Sequence, residues 1–185
     1  AALKAQEYLD CHEDELYTNP AGITTGGYGD KDVSDERYFA LCALYAATKN
    51  ETFYQKAMNI RKNHPQWAEA FSWACVSVYG TEILIKETDA EAKDELKNSI
   101  LQTADKVLEI VNNASFGTSL IKAYWGCNGG VCDYAHILLL AHDFTGKAEY
   151  YEAAKKQLDY LLGCNPLSVC YVTGIGKNPT QKPHH

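Results

Sequence analysis

The sequence predicts an all-α fold in which helical hairpins repeat as a ring or stack. Apolar residues recur at helical spacing through most of the chain. One hairpin-sized stretch occurs twice, and glycine- and aromatic-rich segments separate the periodic ones. Hairpins of this kind expose apolar faces that only neighbouring hairpins can bury, so the six or seven helices read here are expected to form part of a larger ring.

The first periodic element, SDERYFALCALYAAT, opens on a Ser-Asp capping signal at 34–35 and carries Phe39, Leu41, Cys42, Leu44 and Tyr45 at helical phase. ETFYQKAMNIRKN (51–63) restarts a helix after the polar break TKN. QWAEAFSWACVSVYGTEILIKE (66–87) reads as one long, largely apolar helix interrupted only by Gly80. The clearest amphipathic stripe lies in 89–113, through Leu96, Ile100, Leu101, Ala104, Val107, Leu108 and Val111. Lys93-Asp94-Glu95 on the same segment reads as solvated surface. VCDYAHILLLAHDFT (131–145) is apolar on most sides and is expected to be buried. AEYYEAAKKQLDYLLG (148–163) is amphipathic and closes on Gly163, where a C′ glycine belongs.

The repeat relates ALCALYAATKNETFYQKA (40–57) to ILLLAHDFTGKAEYYEAA (137–154) at a spacing of 97 residues. Thr48 matches Thr145, Phe53 matches Tyr150, Tyr54 matches Tyr151 and Ala57 matches Ala154. Each copy is an apolar helix, a short polar turn and a helix bearing an aromatic pair.

Composition narrows the function. The 185 residues suffice for one ordinary domain with a core, and 46% apolar against 22% charged residues is a soluble globular balance. A net charge of −7 without a basic run longer than Lys155-Lys156 argues against nucleic-acid partners. No apolar run approaches the ~20 residues of a membrane span, and AALKAQEYLD does not have the build of a signal peptide. The seven cysteines are odd in number, so at least one is free or pairs outside the chain. Cys42 and Cys75 sit among apolar residues as small buried hydrophobes, and Cys127 and Cys132 have neither the spacing nor the histidine partners of a zinc site.

Function is expected in three loops, 22–36, 115–130 and 163–185. They set Tyr28, Tyr124, Trp125 and Tyr171 beside Asn, Asp, Thr and His. Flat aromatics beside short polar groups suit sugar rings, which offer an apolar face and an edge of hydroxyls. The alternative is that these aromatics fill the core beneath the loops.

At these loops the chain resembles a known family. LLGCNPLSVCYVTGIGKNPTQKPHH (161–185) is similar to the signature segment of family-nine glycoside hydrolases, inverting cellulases built on an (α/α)6 barrel. Leu162, Gly163, Asn165, Pro166, Tyr171, Val172, Gly174, Gly176, Pro183, His184 and His185 match the family pattern; Cys164 and Cys170 depart from it, and the arginine expected after the histidine pair is absent. GITTGGYGDKDVSDERYFALCALYAATKN resembles the Gly-x-Tyr-Gly-Asp…Asp-Glu-Arg segment of cellobiohydrolase-like members, and AYWGCNGG resembles their Trp-Gly-Ser-Asn turn. The resemblance covers essentially all 185 residues, so the terminal His-His is read as native loop and not as a purification tag.

The resemblance implies about half of an (α/α)6 barrel, with residues 1–185 a partial catalytic domain of a secreted enzyme cleaving β-1,4-glucosidic bonds with inversion. A non-catalytic carbohydrate-binding or scaffold module of the same fold is the alternative; an unrelated toroid hydrolase or epimerase is disfavoured by the terminal loop. Inversion needs two carboxyl groups roughly 6.5–9.5 Å apart. The family's Asp-Ala-Gly-Asp and Asn-Glu-x-x-x-x-Tyr-Asn motifs, which supply them, do not occur in these residues, so the chain alone is expected to be inactive. Its partners are then a β-glucan or cello-oligosaccharide, and the remainder of the domain or another copy of the chain.

His184 is the active-site candidate, expected to hydrogen-bond glucose hydroxyls and not to serve as proton donor, because an ordinary imidazole with a pKa of ~6.5 is largely deprotonated near neutrality. Trp125 and Tyr28 are expected to contact the sugar, Trp125 by stacking or else as an anchor for the CNGG turn. Asp30, Asp32, Asp35 and Glu36 supply hard oxygen ligands within seven residues, as Ca2+ prefers, without EF-hand spacing. The family resemblance also points to a structural calcium here; no organic cofactor is implied. Capping of the following helix by Ser34 or Asp35, with Glu36 favoured by the helix dipole, is compatible with it.

Overall fold

A computed structural model describes residues 1–26, 30–65, 67 and 71–182. Its helices are α1 (Ala2–Cys11), α2 (Ser34–Thr48), α3 (Glu51–Asn63), α4 (Ser77–Glu87), α5 (Ala90–Asn113), α6 (Cys127–Thr145) and α7 (Ala148–Leu161). The described residues contain no β-strand beyond isolated bridges, such as Cys170 with Pro179. No described helix is long and apolar enough to cross a membrane. Two compact units divide the chain, one holding α1–α4 and the other α5–α7.

In the first unit, α2 packs against both α3 and α4. Tyr38, Leu41, Cys42 and Tyr45 from α2 meet Ala57 of α3 and Val78, Leu84 and Ile85 of α4 in the buried set. The approach of α2 and α4 depends on Gly80, where a Cβ would stand 2.7 Å from the Tyr38 ring. The Tyr38 hydroxyl lies 3.3 Å from Thr81 Oγ1, which also accepts from Arg61 at 3.1 Å. Burial pushes the Cys42 thiol up to about 12, so it is inert, as a small buried hydrophobe should be.

In the second unit, α6 packs on α5 and α7. Of the expected α5 stripe, Leu96, Ile100, Ala104, Val107 and Val111 are buried, and Leu101 and Leu108 at its edge are half-buried. Ile137, Leu138 and Ala141 of α6 and Tyr150, Ala153, Ala154, Tyr160 and Leu161 of α7 complete the core. Tyr150 donates to Asp105 at 2.5 Å, tying α7 to α5. Burial, and then that carboxylate, push the phenol up to about 12.

The repeat extends to individual hydrogen bonds. The Thr48 hydroxyl donates to the Leu44 carbonyl at 2.7 Å, and the Thr145 hydroxyl to the Ala141 carbonyl at 2.7 Å. Each threonine oxygen then accepts the N–H two residues on, from Asn50 at 3.3 Å and from Lys147 at 3.2 Å. The intervening residue is left-handed in both, Lys49 at φ 56° and Gly146 at φ 69°. Ring contacts repeat as well: Tyr45 with Tyr54 at 5.3 Å, His142 with Tyr151 at 5.5 Å.

Three elements differ from expectation. The long helix expected at 66–87 is observed only as Ser77–Glu87. Asp35 Oδ2 accepts the Val76 N–H at 2.5 Å, which caps α4 from a neighbouring helix and stops it there. Helix α6 begins at Cys127, four residues before the expected 131, because left-handed Gly126 (φ 76°) turns the chain directly into it. Helix α1 was not expected. It has little apolar stripe and is tied to its unit by polar contacts, Lys56 to Asp10 at 2.7 Å and Arg37 to the Leu9 carbonyl at 3.2 Å.

Candidate functional site

The loop before α2 is organised by its own carboxylates. Asp30 accepts the Asp32 N–H at 3.1 Å, and Asp32 accepts the Ser34 N–H at 2.9 Å. Helix α2 starts after Val33 with no side-chain cap hydrogen bond, so neither Ser34 nor Asp35 caps it, and Asp32 instead closes a turn onto the Ser34 N–H just ahead of the helix. The Ser34 hydrogen bonds hold the Asp32 carboxyl below its usual range, helped by His64, whose Nε2 lies 3.8 Å away. Asp35 is buried and committed to Val76. Glu36 stands exposed, yet its pKa is raised, first by partial desolvation and then by Asp35 and Asp30. Tyr28 lies outside the described residues.

The loop between α5 and α6 is pinned from below. Gln157 of α7 is fully buried: its Oε1 accepts the Ser119 N–H at 2.7 Å, and its amide nitrogen donates to the Gly117 and Ala153 carbonyls, each at 2.9 Å. Thr118 Oγ1 accepts the Leu120 N–H at 3.2 Å. Beyond this clasp the chain rises to Tyr124 and Trp125, the latter 80% exposed. The Tyr124 hydroxyl occupies the space that a Cβ on Gly130 would need, so glycine there seats Tyr124 on the first turns of α6. A cavity of about 220 Å3 opens beside it, lined by Ser119, Leu120, Tyr124, Cys127, Val131 and Tyr134 among others. On the same helix, burial pushes Asp133 up to about 6, against a smaller opposing pull from His136.

The loop after α7 is held by Asn165. Its amide nitrogen donates to the Tyr160 and Val169 carbonyls, both at 2.8 Å, and its oxygen accepts the Leu167 N–H at 3.1 Å. Thr180 closes the loop, its N–H at 2.8 Å and its hydroxyl at 3.0 Å both donating to the Cys170 carbonyl. His184 lies outside the described residues.

Of the residues expected from sequence, Trp125 is thus an open aromatic face, Asp30 and Asp32 lie in the loop before α2, and Asp35 and Glu36 lie in its first turn, where Asp35 is committed to Val76. Gln157, Ser119 and Gly130 escaped the sequence reading. A detectable signal existed only for Gln157, an amide in phase with the buried face of α7.

Helical hairpins that repeat, with aromatic, hydroxyl and amide groups gathered in the connecting loops, define an α-helical hairpin protein whose site is carried by its loops. The family model for glycosyl hydrolase family 9 matches residues 1–185, and the chain belongs to that family. It is 32% identical over 204 aligned residues to a xyloglucan-specific endo-beta-1,4-glucanase of Bacteroides ovatus, covering 100% of this chain and 34% of that protein. A crystal structure of a metagenome-derived family 9 endoglucanase superposes with a TM-score of 0.89 at 29% identity, covering 99% of this chain and 34% of that one. AaCel9A in complex with cellobiose-like isofagomine gives 0.86 at 30% identity, covering 99% and 36%. The all-α fold is accordingly a portion of the family's (α/α)6 barrel, and the chain spans about a third of the length of the curated relatives it matches.

Proposed function

We propose that this chain is part of a secreted enzyme that hydrolyses β-1,4-glucosidic bonds of cellulose or a related glucan with inversion. The family match along the whole chain carries the proposal. An open Trp125 face beside a rigidly clasped loop supports a sugar-binding role for this portion. Neither family carboxylate motif occurs in these 185 residues, so the acid and base come from elsewhere in the parent enzyme. Trp125 and Tyr28 then contact sugar rings, and His184 hydrogen-bonds their hydroxyls.

The test uses the complete domain containing this segment. Cello-oligosaccharides, cellulose and xyloglucan are incubated with it, and the first-formed product anomer is read by NMR. Release of the α-anomer is expected; retention of configuration overturns inversion, and binding without hydrolysis favours the non-catalytic module. In the same assay His184→Ala lowers the rate while folding is retained, and a wild-type rate removes His184 from the site.

Structural calcium at the Asp30–Glu36 turn belongs to the same proposal. Among the described residues no three His, Cys, Asp or Glu side chains are gathered as a metal site. What supports the cation is charge: Glu36 feels the Asp35 and Asp30 carboxyls at once, a repulsion that Ca2+ would relieve. Asp30, Asp32, Asp35 and Glu36 would hold it, with a structural and not a chemical role.

A further inference from the structure

Gln157 is a polar residue on an otherwise apolar and aromatic face. Its buried neighbours on α7 are Tyr150, Ala153, Ala154, Tyr160 and Leu161, and the amide itself is 0% exposed. An apolar side chain would fill this place without a polar group to satisfy, so packing alone gives no reason for an amide. Its hydrogen bonds supply one. Two of the three leave the helix for the main chain of the α5–α6 loop, accepting from Ser119 at 2.7 Å and donating to Gly117 at 2.9 Å.

Hydrogen bonds within that loop join near neighbours: Gly117 to Ala114, Leu120 to Thr118 and Cys127 to Tyr124. They shape the loop but do not fix it to the body of the unit. At the clasp the loop is pressed onto α7. Gly117 is left-handed at φ 61°, and a Cβ there would meet Lys156 Cδ at 2.8 Å. One residue past Ser119, Leu120 packs against Val131, Tyr160 and Leu161. Tyr171 of the loop after α7 packs on the same cluster, and its N–H donates to the Leu161 carbonyl at 2.8 Å. The last turns of α7 therefore support both loops, and Gln157 holds the one that carries Trp125.

We infer that Gln157 is a positioning residue for substrate binding: without touching the sugar, its amide sets the main chain at Gly117 and Ser119 and, through it, the placement of Trp125. The inference rests on the reading that Trp125 contacts sugar rings. Gln157→Met in the complete domain nearly keeps the volume and removes all three hydrogen bonds. KM on cellohexaose should rise about fivefold with kcat within about twofold, the pattern of lost binding. In a Trp125→Ala background the same substitution should move KM less than about twofold, because its effect runs through the indole. A second readout needs no catalysis. In fluorotryptophan-labelled domain, the fluorine NMR line of Trp125, assigned by its loss in Trp125→Phe, should shift or broaden in Gln157→Met. Gln157→Glu keeps the acceptor for Ser119 but loses both amide donors, and should give a smaller change of the same kind. An unmoved Trp125 line, or an equal change in KM in both backgrounds, overturns the inference. Failure of both variants to fold makes the amide a support of the core and overturns it as well. A wild-type domain that hydrolyses no oligosaccharide overturns the glucanase reading instead, and the fluorine line still decides the positioning role.

Discussion

The Tyr124 hydroxyl rests where Gly130 lacks a side chain, so the aromatic tip of the α5–α6 loop is seated directly on helix α6. A methyl at 130 evicts the phenol, whose end is free to swing outward. Gly130→Ala adds helix propensity worth up to about 1 kcal/mol, so in the complete domain Tm is expected to hold or rise. Cello-oligosaccharide affinity, measured by calorimetry, falls as Tyr124 and the adjoining Trp125 shift. An unchanged affinity would show that the seat has no bearing on binding.

Trp125→Ala separates a platform from an anchor. An indole 80% exposed contributes little to the core, so stability should stay within about 0.5 kcal/mol of wild type. Losing a stacking face should weaken oligosaccharide binding about tenfold, ~1.4 kcal/mol. Melting and titration of one preparation decide: a large fall in Tm with intact binding makes Trp125 an anchor.

Asp133 predicts a pH dependence of stability. Burial raises its folded pKa from 3.8 to about 6, so the native state takes up its proton more readily than the unfolded chain. Its ionisation therefore weakens the fold as pH rises from about 4 through about 6, and the penalty is complete above that window. Asp133→Asn has no such penalty. Near pH 4 the variant and wild type should melt alike, the variant should gain progressively as pH rises to about 6, and its advantage should stay constant above that. Parallel Tm profiles across this range would mean that Asp133 is better solvated than its position on α6 implies.

Calcium is tested by removal. If a cation relieves the Glu36–Asp35–Asp30 repulsion, EDTA lowers the Tm of the complete domain and added CaCl2 restores it. Glu36→Gln relieves part of that repulsion and should reduce the sensitivity to EDTA. A Tm indifferent to EDTA removes calcium and leaves the loop with the Asp32 turn and the dipole interaction of the acidic first turn of α2.

Helix type and hairpin repetition were legible in the sequence by itself, because both are local. The α5 stripe needs only a 3.6-residue period, and the Thr48 and Thr145 turns repeat because each threonine bonds within its own turn. The family motifs were legible for the same reason, as fixed spacings along the chain. Tertiary structure decided what depends on residues far apart. Helix α4 starts at Ser77 because Asp35, 41 positions away, takes the Val76 N–H; apolar periodicity carries no trace of that. Ser119 is held in place by Gln157, 38 positions further on, and the glycine that seats Tyr124 looks in sequence like any loop glycine. Periodicity reports which face of a helix is apolar, whereas a cavity and a buried amide clasp exist only once several such faces have met.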